Sequence, residues 1–121
     1  MHIEKLNDSF AQKVINYYSD AMTAQINLGT IANNVCWRVG NVVYINYRTY
    51  GTARTISAGT AIAKLPEGYR PRSGIREVVG IAVANDNVNR IVTFGIDSNG
   101  NLTCGSSLTY TQIWPLGTIT I

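Results

Sequence analysis

The chain is poor in the residues on which most enzyme chemistry depends. It has a single histidine, His2, among 121 residues. Nucleophilic triads need a positioned base, which is usually histidine, so most of them are excluded. Neither a Gly-x-Ser-x-Gly motif nor a phosphate-binding Gly-x-x-x-x-Gly-Lys loop occurs. The sequence therefore indicates a protein that binds and does not catalyse a reaction.

Carboxylates are also scarce after the first 24 residues, where only Glu67, Glu77, Asp86 and Asp97 occur. Asp97 belongs to a turn and Glu67 to a proline-bounded bend, so we expect no pair of carboxylates for glycoside cleavage. The turn at Asp97 resembles the start of a calcium loop, but Leu108 stands where the bidentate glutamate would be. We expect neither a metal site nor a cofactor.

Charge is low and dispersed. Charged residues make up 14% of the chain, against a usual quarter or so. The net charge of +3 comes from scattered arginines and lysines without a run of positive charge, so the sequence does not predict nucleic-acid binding. No stretch approaches the roughly 20 apolar residues of a membrane span, and the N-terminus lacks the order of a signal peptide. A weakly charged surface favours an oligomer.

The two cysteines, Cys36 and Cys104, lie far apart, each inside a strand-like run. They have no Cys-x-x-Cys spacing and no histidine near them in sequence. We expect buried free thiols.

The N-terminal segment has helical spacing. From Ile3 to about Ala24 there is no glycine or proline, and apolar residues recur at steps of three and four. These residues are Ile3, Leu6, Phe10, Val14, Tyr17 and Ala21. The pattern predicts a helix over residues 1–24, followed by a β domain over residues 25–121. The helix either lies on the sheet of its own domain or forms a neck shared between subunits.

The clearest strand signal is a hairpin over residues 35–47, with a two-residue turn at Gly40 and Asn41. Its register places Trp37 opposite Tyr44. Both faces of the hairpin are apolar, so something is expected to cover the second face. We expect Trp37 in the core because its cross-strand neighbour is aromatic.

Alternation of period two recurs at residues 60–65, 78–84, 90–96, 101–104 and 110–121. The Gly- and Thr-rich passage 51–59 is predicted to be a loop that exposes Tyr50, Arg54 and Thr55. The last run contains Pro115, which suits an edge strand or a bulge. Short strands separated by turns predict a mainly β fold, a jelly-roll-like or Greek-key sandwich or barrel after one N-terminal α-helix.

A stiff bend, Leu65-Pro66-Glu67-Gly68-Tyr69-Arg70-Pro71, joins two of these runs. The prolines restrict φ, and Gly68 can adopt the positive φ of a tight turn. The bend resembles the Leu-Pro-x-Gly-aromatic-Arg-Pro motif in the C-terminal head domains of trimeric bacteriophage tail and baseplate receptor-binding proteins. The likeness extends over residues 34–121 through the Trp37 hairpin, the turn at residues 96–102 and the terminal residues 116–121.

The resemblance implies a homotrimer that binds bacterial cell-surface saccharide without enzymatic activity or membrane insertion. It also implies other tail or baseplate proteins as partners and a place at the tail tip of the virion, after assembly in the host cytoplasm. Two alternatives stay open. One is a trimeric jelly-roll of the tumour-necrosis-factor or complement-head type that binds proteins, and the other is a structural fibre-tip domain without a ligand.

No family motif maps the binding residues, so the candidates come from chemistry. Sugar recognition needs an exposed aromatic face and hydrogen-bonding side chains. The most polar loop supplies such side chains from Asn85, Asp86, Asn87 and Asn89. Trp114 is the aromatic candidate because Pro115 weakens sheet pairing beside it. Arg76 would add a charged contact to a phosphorylated cell-wall polymer. The alternatives are a plain solvated turn and a second core tryptophan.

Overall fold

The computed structural model describes residues 18–121, which form one antiparallel sheet of nine strands. The strands are β1 (Tyr18–Asp20), β2 (Thr23–Ala24), β3 (Thr30–Val39), β4 (Val42–Ile56), β5 (Ala61–Lys64), β6 (Ile75–Val83), β7 (Asn89–Asp97), β8 (Asn101–Cys104) and β9 (Leu108–Thr120). Their order in the sheet is β1-β3-β4-β9-β6-β7-β8-β5-β2. The predicted mainly β fold is confirmed. Within residues 18–121, no helix is long and apolar enough to cross a membrane.

The sheet curls around a single core. Side chains alternate between its two faces, so every second residue of a strand points inward. Ile45 and Tyr47 of β4 meet Phe94 and Ile96 of β7 in one cluster of buried side chains. Removing this apolar surface from water is the main favourable contribution to folding.

The first two strands close the curl. β1 pairs with β3 and β2 pairs with β5, at opposite edges of the sheet, although only Ala21 and Met22 separate them in sequence. An extended chain covers about 3.5 Å per residue, so the two edges lie within roughly 10 Å of each other here. Met22 is buried, and its N–H and C=O both bond to the side-chain amide of Asn34, at 2.7 and 2.8 Å. We call residues 18–24 the strap.

The predicted helix is wrong where the structure describes it. Residues 1–17 lie outside the described part, but Tyr18–Asp20 and Thr23–Ala24 are strands, so β structure begins before the predicted boundary at residue 25. The backbone of the strap supplies hydrogen-bonding partners to two otherwise open sheet edges. That non-local pairing outweighs the helical spacing of the apolar residues.

The predicted hairpin is confirmed as β3 and β4, with Trp37 opposite Tyr44 and ring centroids 5.5 Å apart. The prediction that Trp37 belongs to the core is wrong, because its side chain is 42% exposed. The inward positions of the hairpin carry Cys36, Val43, Ile45 and Tyr47. The sequence could not choose between two apolar faces, and within residues 18–121 the outer face is the exposed one.

The passage predicted as a loop at residues 51–59 is partly strand. β4 continues to Ile56, and Arg54, Thr55 and Ile56 pair with the start of β9. Arg54 and Thr55 are exposed as expected, but on a strand. Gly51 permits the strand to pass close to Gly29, whose Cα would lie 3.1 Å from a Cβ at Gly51.

Of the two settings predicted for Pro115, an edge strand or a bulge, the edge strand is wrong, since β9 lies inside the sheet between β4 and β6. Two features accommodate the proline. β9 pairs with β4 at Leu116 and again at Ile113, with no pair between them, so the ladder is interrupted beside Pro115. On the other side Pro115 faces Gly80, where a Cβ would lie 2.8 Å from the proline Cα.

The proline bend has the predicted turn. Gly68 has φ +87°, and the N–H of Tyr69 donates to the carbonyl of Pro66 at 3.2 Å, as in a type II turn. Arg38 of β3 donates from Nη1 to the Gly68 carbonyl at 2.6 Å. Tyr69 is buried, so the bend packs onto the core.

The turn between β7 and β8 is also as predicted. Oδ1 of Asp97 accepts hydrogen bonds from the N–H groups of Asn99 and Asn101, both at 2.9 Å. Burial acts to raise the pKa of Asp97, but these hydrogen bonds outweigh it and the pKa is lowered. No cluster of metal-ligating side chains occurs in the described part of the chain.

Both thiols are buried and free, as predicted. Burial, together with the nearby Asp20, raises the pKa of Cys36 to about 12. Both sulfurs are buried, and the raised pKa also keeps Cys36 from forming the reactive thiolate, so Ellman's reagent should detect no thiol in native protein at pH 8 within an hour. After unfolding in guanidinium it should detect 2 thiols per chain. A fast native reaction would contradict the burial of both sulfurs.

Candidate functional site

A hollow of about 240 Å³ lies on the outer face of the sheet, where β4, β9 and β6 run side by side. It is lined by Arg48, Ile81, Val83, Asn87, Asn89, Gln112 and Trp114. An aromatic ring and two aliphatic side chains thus share one depression with four polar side chains. That mixture is typical of small-ligand sites, in which a few polar groups fix the orientation of the ligand.

The pairing of the strands assembles the hollow. Gln112 and Trp114 are alternate residues of β9 and point to the same face. On β6, Ile81 lies opposite Trp114 and Val83 lies opposite Gln112. Three strands that are distant in sequence therefore place these side chains together.

The indole of Trp114 is held in place. It is half-buried, and its Nε1–H donates to Oδ1 of Asn46 at 2.7 Å. The guanidinium of Arg48 lies over the ring, 4.7 Å from its centroid, in a cation–π contact. A ring fixed in this way loses little conformational freedom when a ligand packs against it.

Arg48 is in turn positioned by β9, since its Nη2 donates to Oε1 of Gln112 at 3.1 Å. Its Nε is buried and has no hydrogen-bond partner in the part of the chain that the structure describes. Among residues 18–121 the one ion pair joins Asp86 and Arg90, so no described carboxylate neutralises Arg48. The hollow therefore contains a partly desolvated positive charge.

The loop between β6 and β7 brings Asn87 and Asn89 to the hollow. The N–H of Asn87 donates to the carbonyl of Ala84 at 3.1 Å, and Asn87 has φ +58°. Positive φ is uncommon outside glycine, and asparagine is among the few residues that tolerate it. The tight turn thus depends on the residue type at position 87.

Asp86 orders the same loop. Its carboxylate accepts hydrogen bonds from the Val88 N–H at 3.1 Å and from Nη1 of Arg90 at 3.0 Å. The hydrogen bond from Arg90 is the largest of the effects that lower the pKa of Asp86 to about 2. The carboxylate is therefore ionised and already occupied at neutral pH.

Of the residues predicted from sequence, Trp114, Asn87 and Asn89 come together in the hollow. Asn85 and Asp86 are exposed in the same loop but do not line it. Arg76 lies elsewhere and donates to backbone carbonyls, from Nε to Thr120 at 2.8 Å and from Nη1 to Ser73 at 3.2 Å.

Sequence reasoning missed Arg48 and Gln112. Gln112 could have been predicted, because a residue two positions before Trp114 lies on the same face of the strand as Trp114. Arg48 was not, because its place beside Trp114 follows from the pairing of β4 with β9.

A second surface feature is apolar. Trp37, Val39 and Val42 all lie on the outer face of the hairpin and are exposed. We call these three residues the hairpin patch. Val39 lies directly opposite Val42, and large contiguous patches of exposed apolar side chains are typical of interaction surfaces.

No protein-family model matches the chain, and a search of the curated proteins finds no match either. The function therefore has to be inferred from the hollow and the hairpin patch.

Proposed function

We propose that the chain is the head domain of a bacteriophage receptor-binding protein, which binds bacterial cell-surface saccharide as a homotrimer at the tail tip, beside other tail or baseplate proteins. The observation that supports it is the hollow, where the fixed indole of Trp114 lies with the amides of Asn87 and Asn89. A sugar ring presents an apolar face and a rim of hydroxyls. The aromatic face of Trp114 complements the apolar face of the sugar, and the amides can hydrogen-bond to its hydroxyls.

We also propose that the fold is jelly-roll-like and built on a Greek key. Strands β6, β7 and β8 follow one another in the sheet, and β9 returns to lie beside β6. The spatial order β9-β6-β7-β8 is the Greek-key order of four antiparallel strands.

A hollow of about 240 Å³ is smaller than most pockets for drug-sized ligands, which span about 300–1,000 Å³. One such site binds weakly. Display of several sites on a trimer raises the overall avidity without any new contact. The proposed assembly and the proposed ligand therefore support each other.

The hairpin patch is the proposed contact between subunits. Val42 is 47% exposed in the single chain, and burying it favours association. Light scattering at micromolar concentration should give about three times the 13.2 kDa chain mass. Val42→Lys should shift the protein to monomer, whereas Val88→Lys, at an exposed valine in another part of the surface, should not. A monomeric wild type would contradict the trimer.

Asn87→Gly tests the saccharide site. Glycine also tolerates φ +58°, so the turn should persist while the amide disappears from the hollow. We expect about a tenfold loss of affinity, as for one hydrogen bond of about 1.4 kcal/mol. The ligand is first identified on an array of bacterial surface polysaccharides, and the affinity is then measured by calorimetry.

Asn85→Gly is the matched control, since it removes an amide from the same loop outside the hollow. It should bind like wild type. If Asn85→Gly and Asn87→Gly lose the same amount of saccharide affinity, the amide of Asn87 in the hollow is not a specific contact and the site lies elsewhere. A wild type that binds no polysaccharide on the array but retains a protein in a pull-down would favour the protein-binding alternative, which the hairpin patch also suits.

A further inference from the structure

Arg48 is the one charged residue that lines the hollow, and it lacks a counter-charge in the described part of the chain. Its Nη2 bonds to the neutral amide of Gln112, its Nε is buried without a partner, and its Nη1 makes no hydrogen bond to residues 18–121. Asp86 does not compensate it, because Arg90 already occupies that carboxylate. The hollow therefore carries an uncompensated positive charge.

Such an arrangement is costly in a protein without a ligand. Moving a guanidinium partly out of water is unfavourable unless the charge is paired. The cation–π contact with Trp114 offsets part of that cost. An anionic group entering the hollow would offset more of it, since hydrogen bonds between charged groups are about twice as strong as neutral ones.

We propose that the hollow binds an acidic saccharide, with Arg48 binding its phosphate or carboxylate group while the sugar ring packs against Trp114. This inference rests on the proposed saccharide function and specifies the class of sugar. The planar fork of arginine suits either oxyanion, and Gln112 holds that fork in position. The side-chain amides of Asn87 and Asn89 are then available to hydrogen-bond to the hydroxyls of the sugar.

The sequence placed the charged contact at Arg76, but the structure offers a better cation. Arg76 donates to two backbone carbonyls and does not line the hollow. Arg48 lies over the indole and keeps Nη1 free of described partners. The charged contact is therefore assigned to Arg48.

The test is an NMR titration of the full chain with four probes: methyl glucoside, glucose 6-phosphate, glucuronic acid and inorganic phosphate. The side-chain N–H signals of Trp114 and Arg48 report on the site directly. We expect both acidic sugars to bind at least fivefold more tightly than methyl glucoside at low ionic strength. The preference should shrink as salt is added, because charge interactions are screened. The two acidic sugars show whether phosphate or carboxylate is preferred.

Arg48→Gln should reduce the affinity for the acidic sugars to that for methyl glucoside. Arg54→Gln is the matched control, because it removes the same charge from an exposed position of the same strand and should keep the preference. Melting curves of both variants establish that each is folded.

The outcomes separate the two proposals. Equal binding of neutral and acidic sugars, or a preference that survives Arg48→Gln, overturns the acidic-sugar inference and leaves the saccharide function standing. Binding of inorganic phosphate at Arg48 with no shift from any sugar overturns the saccharide function. If none of the four probes shifts either signal, both proposals fail.

Discussion

Gly80→Val is expected to destabilise the protein severely. A Cβ at Gly80 would lie 2.4 Å from the carbonyl oxygen of Trp114, 2.7 Å from Cε2 of Phe94 and 2.8 Å from Cα of Pro115. Two of these atoms belong to the backbone of the neighbouring strand and cannot move without opening the sheet. Overpacking of a core commonly costs about 1–3 kcal/mol, and we expect the upper end of that range or more.

Such a loss is a large part of the roughly 5–15 kcal/mol that stabilises a typical domain. Thermal melting followed by circular dichroism should show a decrease of at least about 10 °C. Gly117→Ala is the control, since a Cβ at Gly117 would meet its nearest atom at 3.6 Å, an ordinary contact. Similar losses for both variants would show that the approach of β6 to β9 does not require glycine.

Removal of the strap is expected to abolish the cooperative fold. A chain that begins at Gln25 lacks β1 and β2, so β3 and β5 lose their pairing partners. It also lacks Met22, a buried core residue whose backbone bonds to Asn34. The expected result is a broad, non-cooperative thermal transition and a weakened β signal in circular dichroism.

A chain that begins at Tyr18 keeps the strap and is expected to melt cooperatively. Asn34→Ala provides a test within the full chain, because it removes both side-chain hydrogen bonds to Met22. We expect it to cost about 1–3 kcal/mol, since two backbone groups of a partly buried segment lose their partners. If the chain that begins at Gln25 melts like the one that begins at Tyr18, the strap does not close the sheet.

Features with a local cause were predictable from the sequence. The hairpin of β3 and β4 depends on a two-residue turn at Gly40 and Asn41, and the bend depends on the positive φ of Gly68. The turn at Asp97 depends on a carboxylate that bonds to backbone N–H groups two and four residues later. Each of these three turns is determined by residue types within a few positions of the turn itself.

The wrong predictions have a common physical cause. Helical spacing did not reveal that the strap pairs with two strands, and an apolar hairpin did not reveal which face would hold Trp37. By residue type alone, Pro115 suits an edge strand or a bulge. The sequence could not show that Pro115 faces Gly80, or that the pairing of β9 with β4 is interrupted beside it. These outcomes depend on strands that are distant in sequence, and local propensity is easily overridden by such contacts.

The candidate site was likewise predictable from the sequence only in part. The sequence by itself was enough to identify Trp114 and the asparagine loop as sugar-binding candidates, because aromatic and amide side chains are recognisable from their chemistry. Only the tertiary structure decided that Asn87 and Asn89 share a hollow with Trp114, and that Arg48 joins them. The physical reason is the order of β4, β9 and β6 in the sheet, which sets the neighbours of every outward side chain and is encoded in no single stretch of the chain.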